Sequence, residues 1–180
     1  MNGASYEARH GITPKNVLVI VIGLGFVALG VWLLDRNPIV AIASILFFGA
    51  CAVTMIISTV MVWGKPALRV DANGVLLGRL AFHGPASSLF VPWSEIGAVV
   101  LFRQHVGPSR PPYLGLDGRT GPIAAPPLRG FGPAAAHFVP HVPPWVIAVS
   151  RPISGWTLDR PALERALAAY APDVALVDLG

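Results

Sequence analysis

The chain has 180 residues, of which 54% are hydrophobic and only 12% charged, about half the charged share of an ordinary soluble domain. Its net charge of +4 comes from thirteen basic side chains against nine acids, spread singly along the chain, which excludes the clustered cations of a nucleic-acid binder. The one cysteine, Cys51, excludes an intrachain disulfide and sits in an apolar run as a small packing residue.

Residues 1–16 are short and polar, broken by Gly3, Gly11 and Pro14, and read as a flexible arm with Arg9 and Lys15 as its basic residues. The excess apolarity lies in 17–63, where two uncharged runs, 17–34 and 39–63, flank Asp35-Arg36-Asn37-Pro38. At 1.5 Å per helical residue they reach roughly 27 and 37 Å, enough to cross a bilayer core, and the pair reads as a two-span transmembrane hairpin. The first run is too long for a signal-peptide core and a second follows at once, so a cleaved leader is not expected. Basic residues beside the spans (Arg9, Lys15, Lys65, Arg69) place both termini in the cytoplasm by the positive-inside rule. Pro38 suits a first helical turn, and Trp32 and Trp63 suit the headgroup layer.

Gly23, Gly30, Ala43 and Ala50 recur at seven-residue spacing and are expected at the contact between the two helices. The same small faces suit a second hairpin, so a homo-oligomer stays open. Ser44, Thr54, Ser58 and Thr59 can return hydrogen bonds to their own helix. Neither run holds an ionisable acid, base or imidazole, which argues against an ion pathway or proton relay.

From Gly64 the pattern changes to short segments and turns, with length for one compact domain over 64–180. Ala67–Val70 and Val75–Phe82 flank Asp71-Ala-Asn-Gly74, an Asn-Gly turn, and read as a β-hairpin. Ser88–Val91 and Ile96–Arg103 read as further strands, the latter rich in β-branched residues; four such strands suggest an antiparallel meander, a small barrel or a sandwich. Residues 107–144 are crowded with Pro and Gly and read as a long irregular loop, with a strand at Tyr113–Leu116 and a helical turn near Ala134–Phe138. Trp145–Ser150 reads as a strand ended by Arg151-Pro152. A helix over Asp159–Tyr170 follows, capped by Asp159, with Pro161 in its first turn and Leu163, Ala166, Leu167 and Tyr170 on one face. Residues 171–180 read as a loose tail in which Val174, Leu176 and Val177 can dock.

A hairpin, then strands, then one C-terminal amphipathic helix resembles the small bacterial membrane proteins that carry a pleckstrin-homology-like (PH-like) domain. The resemblance rests on the hairpin, on Leu68–Val75 as the opening β-hairpin, on Val91-Pro-Trp-Ser-Glu-Ile96 entering the next strand, and on the final helix. It implies a mainly-β PH-like domain in which Pro92, Trp93, Glu95 and Ile96 form a structural corner, Trp93 and Ile96 packing inward. Some PH domains bind phosphoinositides through Lys and Arg flanking the loop between their first two strands. By resemblance the lipid-surface candidates are then Arg69 and Arg79, with Lys65 beside the membrane. Arg103, with Arg110, Arg119 and Arg129, can form a basic rim over anionic lipid.

Chemistry is sparse. His137 and His141 have a metal-ligand spacing, but Pro140 interrupts it and no carboxylate or thiol stands nearby; His83 and His105 are isolated, so no metal site is expected. Glu95 and Asp117 are the only acids between Val75 and Arg151, each suited to a turn. Gly23-Leu-Gly25 lies inside an apolar span and is not a dinucleotide fingerprint. No catalytic constellation and no cofactor is expected. The sequence therefore reads as a plasma (inner) membrane protein, a scaffold or interaction module binding a protein partner or anionic lipid headgroups. The rival reading is an enzyme acting on a lipid or envelope precursor.

Overall fold

The computed structural model describes residues 5–105, 109–124 and 139–180. Two long apolar helices stand beside two four-stranded, mainly antiparallel sheets that share one core without closing into a barrel.

The expected flexible arm contains a strand. Tyr6–Arg9 is a strand, β1, with Tyr6 and Ala8 buried and Glu7 and Arg9 exposed. It pairs antiparallel with β2 (Pro66–Asp71), Tyr6 opposite Val70 and Glu7 opposite Arg69. Tyr6 is fixed further by its hydroxyl, which accepts a hydrogen bond from Asp159 N at 2.9 Å. The arm thus belongs to the β domain, and the helical hairpin is inserted between that domain's first two strands.

The hairpin comprises α1 (Pro14–Leu33) and α2 (Pro38–Val62). Each starts with proline, whose missing N–H would have no intrahelical partner there, behind a side-chain cap: Thr13 Oγ1 accepts from Asn16 N and Asn37 Oδ1 from Val40 N, both at 3.3 Å. The helices meet through Gly23 and Gly30 of α1 and Ala41 and Ala52 of α2, all buried. Ala43 and Ala50, expected at this contact, face outward. The approach is closest at Gly30, where a Cβ would lie 2.8 Å from Ile45 Cγ1 and 3.2 Å from the Ala41 carbonyl. Phe26 and Phe48 stack at 4.3 Å, and the Arg36 guanidinium lies 4.3 Å over the Trp32 ring in the turn.

Sheet one runs β1-β2-β3-β4, with β3 at Gly74–Leu77 and β4 at Leu89–Pro92. The expected strand to Phe82 stops at Leu77, and Gly78 beyond it still presses on the neighbouring strand: its N–H donates to Ala67 O at 2.8 Å, and a Cβ there would meet Pro66 O at 2.0 Å. The chain then loops through Phe82, which has φ 64° and an exposed side chain. A short turn over Trp93–Glu95 leads into the second sheet. Here the Trp93 indole donates to Asp71 O at 2.9 Å, Ile96 is fully buried, and Glu95 points outward while its carbonyl accepts from Arg119 N.

Sheet two runs β7-β6-β5-β8: β5 Ile96–Arg103, β6 Pro112–Gly118, β7 Arg151–Pro152 and β8 Ala175–Asp178. Two expectations change. Residues 171–180 are no loose tail, since β8 pairs parallel with β5. The expected strand Trp145–Ser150 is largely a short helix, α3 (Pro144–Ala148), started by consecutive prolines. It packs on β6 at Gly115, where a Cβ would come within 2.8 Å of Val146 Cγ1. Val146 and Ile147 join Val100, Phe102, Val139 and Val142 in a small second core. The helical turn expected near 134–138 lies outside the described residues.

The last helix, α4 (Arg160–Tyr170), begins where Asp159 Oδ1 accepts from Ala162 N at 2.9 Å. Its moment drives Leu163, Ala166 and Leu167 into the main core with Leu68, Val70, Leu77, Ile96, Leu114 and Leu116.

Candidate functional site at the hairpin junction

The two ends of the hairpin are clipped together where they enter the sheet. His10 N donates to Lys65 O and Gly64 N to His10 O, both at 3.0 Å, and Gly11 N donates to Gly155 O at 2.7 Å. Beside this clip lies a cavity of about 330 Å³. One wall is the last two turns of α2 (Met55, Ser58, Thr59, Val62), another the loop Gly78–Ala81 with His83, and the third Arg151-Pro152 with Ser154–Trp156. His10 and Asn16 close it.

Among the described residues the lining includes two arginines and two histidines, and no carboxylate. Arg151 is only 4% exposed. Its Nε donates to Gly78 O at 3.1 Å, its Nη1 to Ser150 O at 2.9 Å and its Nη2 to Ser87 O. These bonds tie sheet two to the loop after β3, and burial lowers the guanidinium pKa to about 10, leaving it charged at neutral pH. A buried cation normally requires a paired anion; this one has only carbonyl dipoles. Arg79 donates to Met61 O, at the C-terminal, partially negative end of α2.

Among the described residues, Nδ1 of His10 is buried without a hydrogen-bond partner. Burial, and after it the positive charge of Arg79, lowers the imidazole pKa below its ordinary value, so His10 is neutral near pH 7. The hydroxyls of Ser58 and Thr59 return to Met55 O at 2.9 and 2.8 Å, while Ser44 reaches Phe26 O on the opposite helix at 3.4 Å.

The sequence candidates divide. Lys65 sits exposed in the clip and Arg79 lines the cavity. Arg69 lies along β2 and pairs with Asp71 at 3.1 Å. The turn 71–74 joins β2 to β3, not the first two strands as the resemblance supposed, because β1 precedes the hairpin. Arg103 lines a different groove, with Tyr113, Arg160 and Asp178. Arg119 is held by Asp173 at 2.5 Å, Arg110 is exposed, and Arg129 lies outside the described residues. His137 also lies outside them; His141 meets the His105 ring edge-on at 6.1 Å. Asp117 accepts from the Trp145 indole at 2.9 Å. Among the described residues no three His, Cys, Asp or Glu side chains gather into a metal-binding group.

Sequence reasoning missed His10, assigned to a flexible arm, and Arg151, taken as strand punctuation. One signal for Arg151 is available: it is the only Asp, Glu, Lys or Arg between Arg129 and Asp159. No family model matches the chain, and no curated protein or solved structure does either.

Proposed function

We propose that this chain is a membrane-anchored interaction or scaffold module. In this reading α1 and α2 span the plasma (inner) membrane, both termini are cytoplasmic, and the β domain, read as PH-like, recognises a protein partner or an anionic lipid surface at the cytoplasmic face. One observation carries the reading: a helical hairpin whose runs 17–34 and 39–63 carry no charge is spliced between two hydrogen-bonded strands, so the domain cannot leave the surface that the hairpin enters. Large apolar side chains from Val17 to Trp63 remain exposed on both helices. At roughly 1.5–3 kcal/mol for each such side chain removed from water, burial in a bilayer is the simplest way to satisfy them. The four-stranded first sheet, the second sheet over the same core and the final helix across it support the PH-like assignment.

The test compares alanine replacements at Glu95, Asp117, His137 and His141 with deletion of the hairpin, scoring a cellular phenotype at equal protein level. Loss of function only on deletion supports the module. Loss on the single replacements supports an enzyme instead. Resistance to alkaline extraction and a C-terminal reporter active only in the cytoplasm are the accompanying expectations.

A further inference from the structure

We propose that the junction cavity is a one-to-one binding site for an anionic glycerophospholipid, its phosphate held at Arg79 beside Arg151 and its chain running along the Met55 and Val62 side of α2. The inference rests on the membrane reading above and goes beyond a surface attraction, since it assigns a built pocket and a stoichiometry. Three independent features converge on this chemistry.

The first is uncompensated charge. Arg79 and Arg151 both donate to backbone carbonyls, and none of the ion pairs among the described residues lies in the cavity. A cation held in a low-dielectric wall acts on an incoming anion far more strongly than one in bulk water. A guanidinium is also the group best matched to two phosphate oxygens at once. The second is His10, which lines the cavity and whose buried Nδ1 has no hydrogen-bond partner among the described residues. An imidazole there can donate to a phosphate oxygen and, as the anion offsets the Arg79 charge, take up a proton.

The third is the wall itself. Met55 and Val62 belong to the same helix whose outer surface is apolar over its length, so cationic floor and hydrocarbon face are continuous. A cavity of about 330 Å³ is at the small end of ligand sites, roughly 300–1,000 Å³. It suits a phosphate-bearing headgroup whose chains stay outside against α2. An acidic peptide would satisfy the cations but not the apolar wall.

The experiment uses the full chain in phosphatidylcholine nanodiscs with increasing phosphatidylglycerol, retained lipids being counted by native mass spectrometry. Diacylglycerol is the phosphate-free arm, and inorganic phosphate the lipid-free one. We expect saturation near one phosphatidylglycerol per chain and none with diacylglycerol. Arg79→Gln should weaken retention at least tenfold. Ser58→Phe, which fills the cavity from α2 without changing charge, should do the same, and Arg165→Gln, which removes an exposed cation from α4, should leave retention unchanged.

Equal loss in Arg79→Gln and Arg165→Gln, retention in Ser58→Phe, retention that never saturates, or saturation of the site by inorganic phosphate alone would each overturn the proposal. Entry into the discs without stoichiometric retention sinks this proposal and leaves the membrane reading standing. Failure to enter the discs sinks both.

Discussion

At the turn end of β2 and β3, Arg69 meets Asp71 at 3.1 Å, and the loop closes on itself where Asn73 N donates to Asp71 Oδ1 at 2.9 Å. At the hairpin end of the same strands, Arg79 and Arg151 have backbone carbonyls for partners and, among the described residues, no acid. The backbone is equally tight at both ends, with Gly74 against Val91 O and Gly78 against Pro66 O. The difference is electrostatic: one end is neutralised and solvated, while the other keeps a net positive field inside an apolar cleft. Structural turns need only the first arrangement. The second is wasteful for stability unless something anionic occupies it.

The largest effect should come from breaking the hairpin end. Arg151→Met removes hydrogen bonds to Gly78 O, Ser150 O and Ser87 O and should cost about 3–5 kcal/mol, from roughly 1–3 kcal/mol for each of the stranded carbonyls less the relief of an unpaired buried charge. Denaturant unfolding of the full chain in detergent measures it. Glycine replacement tests whether the two ends are equally constrained. Gly74→Ala and Gly78→Ala should each cost on the order of 1–3 kcal/mol, because both would drive a Cβ into backbone atoms that cannot rotate away. A large difference between them would break that half of the comparison.

A pH series separates the ends further. His10 has a folded-state pKa depressed by burial and then by Arg79, so the unfolded chain binds more protons there. Its contribution to stability should be complete above the unfolded value near 6.5 and lost as pH falls through the folded one. His10→Asn should flatten that dependence in a melting series, whereas Arg69→Gln should leave it intact. The smallest effect belongs to the turn end: Arg69 is about half exposed, and Arg69→Gln should shift stability by about 0.5 kcal/mol or less.

The hairpin, β5 and α4 were readable in the sequence because each carries its signal locally, as an unbroken apolar run, a β-branched strand, or a cap followed by a 3.6-residue period. β1 was not. It is four residues flanked by glycines, and its partner lies on the far side of the hairpin, with Tyr6 opposite Val70. The same distance hid β8, whose parallel partner β5 precedes it by the whole second sheet. Trp145–Ser150 misled for a different reason: a short apolar run suits a buried strand and a buried helix alike. The prolines before it and the room made by Gly115 decided for helix. Of the site, Arg79 was named for a loop that proved to join the second and third strands of the domain, and His10 could not be seen while its segment was read as free.

The insertion and its cavity depend on β1 returning to β2 across the hairpin, and an engineered disulfide tests that pairing most directly. In a Cys51→Ser background, Glu7→Cys and Arg69→Cys introduce thiols at facing, solvent-exposed positions of the β1–β2 pair, within the Cα separation that a disulfide accepts, roughly 4.4–6.8 Å. Oxidation of intact membranes should give an intrachain crosslink in high yield, placing both ends of the hairpin on one side and in one sheet, with none from Glu7→Cys paired with Arg165→Cys. Free thiols at both positions after oxidation, or equal crosslinking in the control pair, would contradict the insertion and the cavity that depends on it.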